Sequence, residues 1–231
     1  MSTKLSFIIP VYQEAENIAP LLTGIFSFVK TPFNVNFIYD DDLDPSIPAI
    51  NIFKKKKGNI NLIKNKYGKG VINALRTGIE TVTTDYVCIM MADLCDNPKD
   101  VDKMIKKLDQ GADLVTGSRY SKGGARFGGP QFKGNLSRIG CLFLYYFSGI
   151  GTKDATNAFK CFKREVIQGI KIESTGGFEL PLELTVKAYK KGFKIEEVPT
   201  VWRERIHGNS KFKLLKWFPN YLKWFWYGIR K

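Results

Sequence analysis

Short apolar runs bounded by turn residues alternate with segments of helical period through the first half of this chain, and no other feature limits its fold so strongly. "LSFIIPVY" (Leu5 to Tyr12) reads as a first strand, followed by a helix through "AENIAPLLTGIFSFV". "VNFIY" is a second strand that ends in "DDDLD", and "INLIKN" a third, after which "GKGVINALRTGIETV" reads as a helix with a glycine-rich start. "DYVCIMMAD" is a fourth strand, with Pro98 placed to open the next helix at its first position, and "ADLVTGSRY" is a fifth. This alternation predicts an α/β fold with a mainly parallel sheet covered on both faces. Ligands of such sheets bind outside the carboxyl ends of the strands, so polar residues there are well sited for chemistry.

Beyond Tyr120 the pattern changes. "SKGGARFGGPQFKG" holds five glycines in a basic stretch and reads as a mobile loop. "NLSRIGCLFLYYFSGIG" reads as an apolar, aromatic helix, either in the core or at a membrane surface. "ATNAFKCFKREVI" and "FKIEEVPTVW" suggest further strands, with the helix "ELPLELTVKAYKKG" between them. We expect one α/β domain over residues 1–210 and a basic, aromatic helical tail over 211–231.

Charge separates the tail from the rest. The chain of 231 residues carries +14, and from Arg203 to Lys231 eight lysines and arginines stand against the single acid Glu204, a net +7. Such a patch attracts phosphates, whether on nucleic acid, anionic lipid or a phosphorylated substrate. "KFKLLKWFPNYLKWFWYGIRK" sets eight aromatics among these basic residues, the composition of an interfacial helix, or of a packed helix whose lysines snorkel. Pro219 is expected to kink or split it. The apolar run near the N-terminus is too short for a signal peptide, and no stretch approaches the roughly 20 apolar residues of a membrane span. The four cysteines form no CxxC pair, and we expect them to be reduced in a cytoplasmic protein.

The acids gather where the strands end: Glu14 after the first, Asp40, Asp41 and Asp42 after the second, Asp93 and Asp96 after the fourth. Taken singly, each fits a turn or a helix cap. Together on one edge they need cations or donors to offset their repulsion, and hard oxygen ligands suit Mg²⁺ or Mn²⁺ shared with substrate phosphates. Arg119 in "GSRY" is expected at the same edge.

Six stretches, "IIPVYQE", the acid cluster, "GKGVINALRTG", "MMADLCDNP", "TGSRY" and "RERIHGNSKF", stand in an order and spacing that resembles family 2 glycosyltransferases of the GT-A (Rossmann-like) fold. Within that family it resembles the branch of dolichyl-phosphate mannose synthase and the bacterial polyprenyl-phosphate glycosyltransferases. The resemblance implies that Pro10, Tyr12, Glu14, Asp40, Asp41, Lys69 and Asp93 bind the nucleotide sugar, and that Asp93 holds the metal. Asp93 matches the last acid of the DxD-type motif, whose first acid is replaced by Met91, a poor ligand for a hard cation. Asp96 either substitutes for that carboxylate or caps the next helix. By the same resemblance Arg119 lies near the diphosphate and acceptor phosphate, where a planar fork suits the role better than lysine. Arg205, Ser210 and Lys211 match the loop that binds the acceptor phosphate or closes over the donor. Asp154 matches a position proposed as the base, and it can equally orient the acceptor or hold the loops. His207 is the only histidine, which excludes histidine-based triads and zinc clusters.

The resemblance implies inversion, and the expected function is transfer of a hexose from a GDP- or UDP-linked donor to a polyprenyl phosphate, at the cytoplasmic face of a membrane to which the chain binds peripherally. Transfer to a saccharide or lipopolysaccharide is the alternative. Binding of single-stranded nucleic acid by the tail is a distant one, opposed by the acidic strand ends.

Overall fold

The computed structural model describes residues 2–205 and 214–230. Its core is a seven-stranded sheet in the order β3-β2-β1-β4-β7-β5-β8. These strands are β1 (Leu5–Val11), β2 (Phe33–Tyr39), β3 (Ile60–Lys64), β4 (Tyr86–Ile89), β5 (Leu114–Ser118), β7 (Lys160–Lys163) and β8 (Ile195–Pro199). All pairings are parallel except those of β7, which runs antiparallel to β4 on one side and β5 on the other.

Every residue of β1 is buried, as expected of a strand covered on both faces. Phe7 and Ile9 pack with α1 (Ala15–Phe28) and α4 (Val101–Asp109), whereas Ile8 meets α3 (Val71–Thr81) on the opposite face. That second face is also covered by α5 (Gln131–Ser148), α7 (Leu180–Lys190) and α8 (Leu214–Ile229). Trp224 of α8 is only 2% exposed, and the C-terminal helix packs against α5 and α7.

The chain departs from the sequence expectations in four places. "DPSIPAINIFK" contains α2 (Ser46–Lys54), which two prolines within four residues conceal from a reading by period. The fourth strand is shorter than "DYVCIMMAD", because β4 ends at Ile89 and the segment beyond it turns into the site. The glycine-rich stretch read as a mobile loop contains β6 (Ala125–Phe127), paired in parallel with β9 (Val201–Arg203). Pro219 neither ends nor divides α8, which continues through it at an exposed position.

Two features of the topology place the site. β1 lies between β2 and β4, so the connections leaving β1 and β4 diverge and open a crevice at their carboxyl ends. Because β7 is antiparallel, Lys160 sits opposite Ile89, and the residues that precede it, Asp154 to Asn157, reach the same edge.

Candidate active site

The turn after β1 and the turn after β4 are both strained. Gln13 and Leu94 are the only non-glycine residues with positive φ among the described residues, at 59° and 61°. They flank Glu14 and Asp93, the acids delivered to the crevice, and such strain persists where surrounding structure fixes it. Asp44 does so for Gln13, accepting its N–H at 3.0 Å, while Ser46 accepts the N–H of Glu14 at 2.8 Å. Burial raises the Glu14 carboxyl pKa, partly offset by the Asn17 amide, and the nearby charge of Asp93 raises it further.

Asp93 is bound on both oxygens. One accepts the Cys95 N–H at 3.2 Å and the other the Arg205 guanidinium at 2.9 Å. Asp96 is different, because its Oδ1 is buried with no hydrogen-bond partner among the described residues. Burial first, and then the charge of Asp93, push its pKa up to about 8. Asp96 is not the helix cap: Asn97 takes that role, its side chain accepting the Lys99 N–H at 3.1 Å before the turn at Pro98.

At the end of β5, Arg119 and Asp154 form a two-pronged ion pair. Nε and Nη2 donate at 2.7 and 2.8 Å, and the Arg119 backbone N–H adds a third bond at 2.9 Å. The side chains are 13% and 0% exposed. Burial opposes the charge of the guanidinium, and Asp154 more than offsets it, so its pKa is raised. Nη2 also donates to Thr156 Oγ1 at 3.1 Å, which joins Ser137 of α5 at 2.9 Å, so the pair is tied to the neighbouring helix.

The remaining acids divide by role. Asp40 accepts from Asn65 and from the Gly70 N–H at 2.7 and 2.8 Å, anchoring the start of α3. Asp42 pairs with Lys64 on the surface. Asp41 stays at the rim, 3.1 Å from Lys69, and its carboxyl pKa is lowered by the Leu43 N–H and then by Lys69. Tyr12 is half exposed and Pro10 is buried within β1. Ser210, Lys211 and His207 lie outside the described residues.

Asp93, Asp96, Arg119 and Arg205 line one cavity of about 1270 Å³. Asp154 stands behind Arg119, while Asp40, Asp41 and Lys69 form a separate group beside α3. From its polar end the cavity continues between α5 and α8, where Ile139, Phe143, Leu222, Phe225 and Trp226 make its wall. Sequence reasoning missed this groove and also missed Lys160, a fully buried cation on the same wall. The signal for Lys160 was present, a lysine inside the apolar strand "AFKCF".

No cluster of three or more acidic, histidine or cysteine ligands occurs among the described residues. The metal-binding donors at the crevice are therefore few. Burial, and next the charge of Asp93, raise the Cys95 thiol pKa and keep it protonated, and Met91 is soft. Two carboxylates remain, one of them with an orphaned buried oxygen. That set fits a divalent cation whose other positions are filled by phosphate and water.

Over residues 6–170 the chain matches the family model described as glycosyl transferase family 2. It is 29% identical over 215 residues to the dolichol-phosphate mannosyltransferase of Pyrococcus furiosus, covering 91% of this chain and 59% of that protein. This chain thus spans less than two thirds of that relative's length. It is 26% identical over 231 residues to the polyprenol monophosphomannose synthase of Mycolicibacterium smegmatis, covering 91% of this chain and 85% of that one. Among solved structures, the glucosyl-3-phosphoglycerate synthase of Mycobacterium tuberculosis, crystallised with Mn²⁺, UDP and glucosyl-3-phosphoglycerate, superposes with a TM-score of 0.72. The likeness covers 99% of this chain and 80% of that one at 14% identity, which shows a shared GT-A fold.

Proposed function

The chain belongs to glycosyl transferase family 2, and from that premise we propose that it moves a hexose, with inversion, from a nucleotide diphosphate sugar to a polyprenyl phosphate. One observation carries the acceptor: the cavity joins a cationic end at Arg119 to an apolar groove between α5 and α8. A prenyl chain suits the groove, and a phosphate suits the positive charge of Arg119, whose Nε and Nη2 are already held by Asp154 and Thr156.

The chemistry supports the same acceptor. A phosphate monoester is ionised at neutral pH, with a second pKa of about 6, so its oxygen needs no base to attack the anomeric carbon. As that bond forms, the bond from the anomeric carbon to the β-phosphate oxygen breaks, and the nucleoside diphosphate leaves with the electron pair. Asp154 gives both oxygens to Arg119 and is closed to solvent. We assign it to holding Arg119 rather than to proton transfer. Catalysis then rests on positioning and on neutralising the phosphates.

For the donor, we assign the nucleoside to Glu14, which follows β1, and to Asp41, which follows β2 and pairs with Lys69. Asp93 and Asp96 would hold Mg²⁺ or Mn²⁺, which supplies charge neutralisation at the diphosphate when bound. Arg205 must then release Asp93, and it becomes free to meet phosphate. Thermal unfolding tests this directly, since a ligand that binds only the folded state raises the melting temperature. One of GDP and UDP is expected to raise it by several degrees, more with Mn²⁺ than without, and Asp96→Asn is expected to remove the Mn²⁺ increment. No rise with either nucleotide would sink the nucleotide-sugar reading.

No helix among the described residues is long and apolar enough to cross a membrane. Outside the groove, α5 exposes Phe132, Tyr146 and Phe147 at 73, 72 and 67%. We assign this face to a membrane surface on the cytoplasmic side, where it brings the groove to its lipid. Burial of one aromatic contributes roughly 1.5–3 kcal/mol, so replacing Tyr146 and Phe147 by serine is expected to weaken vesicle binding about tenfold or more. Unchanged cosedimentation with anionic vesicles would remove this part of the proposal.

A further inference from the structure

The first side chain of β7 is out of place by the logic of its strand. Alternation puts Lys160 on the same face as Phe162, towards the apolar layer that contains Cys141, Leu144 and Trp224. The side chain is 0% exposed, and no carboxylate lies within ion-pair distance of it among the described residues. Among the described residues its one hydrogen bond is donated to Thr116 Oγ1 of β5 at 3.1 Å. Burying an ammonium without a partner is costly, and a methionine of similar length would fill the same space. What distinguishes the position is that it lines the cavity together with Arg119.

We propose that the Lys160 amino group binds the phosphate of the acceptor beside Arg119, a role that rests on the polyprenyl-phosphate reading above. An ammonium carries three donors, and Thr116 engages one of them. The others suit the oxygens of a tetrahedral phosphate held beside the charge of the Arg119 guanidinium, whose Nε and Nη2 stay on Asp154 and Thr156.

The electrostatics add a second consequence. Burial holds the Lys160 pKa down to about 7, against the upward pull of Asp154 and with a downward push from Arg119. Burial raises the Cys141 thiol pKa and keeps it neutral, and the cavity wall adds Asp93, Asp96, Arg126, Glu204 and Arg205. An arriving dianion favours the charged amine, so the lysine takes up a proton as phosphate binds.

Calorimetric titration at pH 8, in two buffers of different ionisation enthalpy, reads that proton. The titrants are a short-chain prenyl phosphate, inorganic phosphate, GDP and UDP. With prenyl phosphate the wild-type protein is expected to take up about one proton more than Lys160→Met, which also binds about tenfold more weakly. Affinity for GDP or UDP is expected to change less than twofold. Lys160→Arg, already charged, is expected to recover affinity without proton uptake. Loss of the buried amine should leave the melting temperature of Lys160→Met at or above that of the wild type, which separates binding from folding.

Equal proton counts and affinities in wild type and Lys160→Met would overturn the proposal. So would a loss confined to the nucleoside diphosphate, which would assign Lys160 to the donor. If the wild-type protein ignores prenyl phosphate, the polyprenyl reading fails. Inorganic phosphate then decides Lys160 on its own: a lysine-dependent proton difference supports phosphate binding, and none overturns it.

Discussion

Replacing Asp154 by alanine is expected to lower the melting temperature by roughly 6–20 °C. The carboxylate is fully buried and receives three hydrogen bonds from Arg119, itself 13% exposed. Removing one member of such a pair leaves an uncompensated buried charge, which costs about 3–5 kcal/mol, and a domain of this size moves about 2–4 °C per kcal/mol. Scanning calorimetry measures the change. A shift under about 2 °C would mean that water reaches Arg119 and that Asp154 does not organise this edge.

Arg119→Lys is expected to keep the fold and lose the reaction. Lysine retains one charge for Asp154 but not the fork, whose Nε and Nη2 are fixed by the carboxylate and by Thr156. With catalysis resting on preorganised donors, loss of one of them lowers kcat by about 10²–10³-fold. The KM for the nucleotide sugar is expected to change far less. A loss below about threefold in kcat would show that any cation suffices and that the bidentate geometry is incidental.

The parts of the fold legible in the sequence are those that depend on period alone. β1, β3 and β5 fall within apolar runs bounded by turn residues, β2 begins two residues before its run, and the acids at their ends could be placed on one edge. Direction and pairing are not periodic properties. The run that holds β7 suggested a strand, yet nothing in "KCFK" says that it runs against β4 and β5. That reversal is what brings Asp154 to Arg119 across 35 residues of chain. The pairing of β6 with β9 was hidden for another reason. Glycines on both sides of Ala125–Phe127 read as flexibility, although the segment between them follows β9 in register.

The site shows the same division. Asp93 and Asp96 stood out as acids after an apolar run, but "DNP" left Asp96 open between a metal ligand and the cap of the next helix. Only the Asn97 bond to Lys99 resolves it, and it leaves Asp96 with an unengaged oxygen. The apolar groove was illegible because its wall comes from α5 and α8, about 80 residues apart in sequence. Each helix read separately as a core helix or an interfacial one. Together they serve both ends, since Trp224 is buried while Trp226 is 67% exposed and lines the groove.

The central claim is that a phosphate on a prenyl chain, and not a hydroxyl, receives the sugar. Mass spectrometry of the lipid fraction tests it, after incubation with GDP-mannose, UDP-glucose and Mn²⁺ together with equal amounts of a short-chain prenyl phosphate, the corresponding prenol and a free saccharide. A hexose added to the prenyl phosphate alone, from one of the two donors, is the predicted result. Hexose on the prenol or the saccharide, with the prenyl phosphate untouched, would contradict the account.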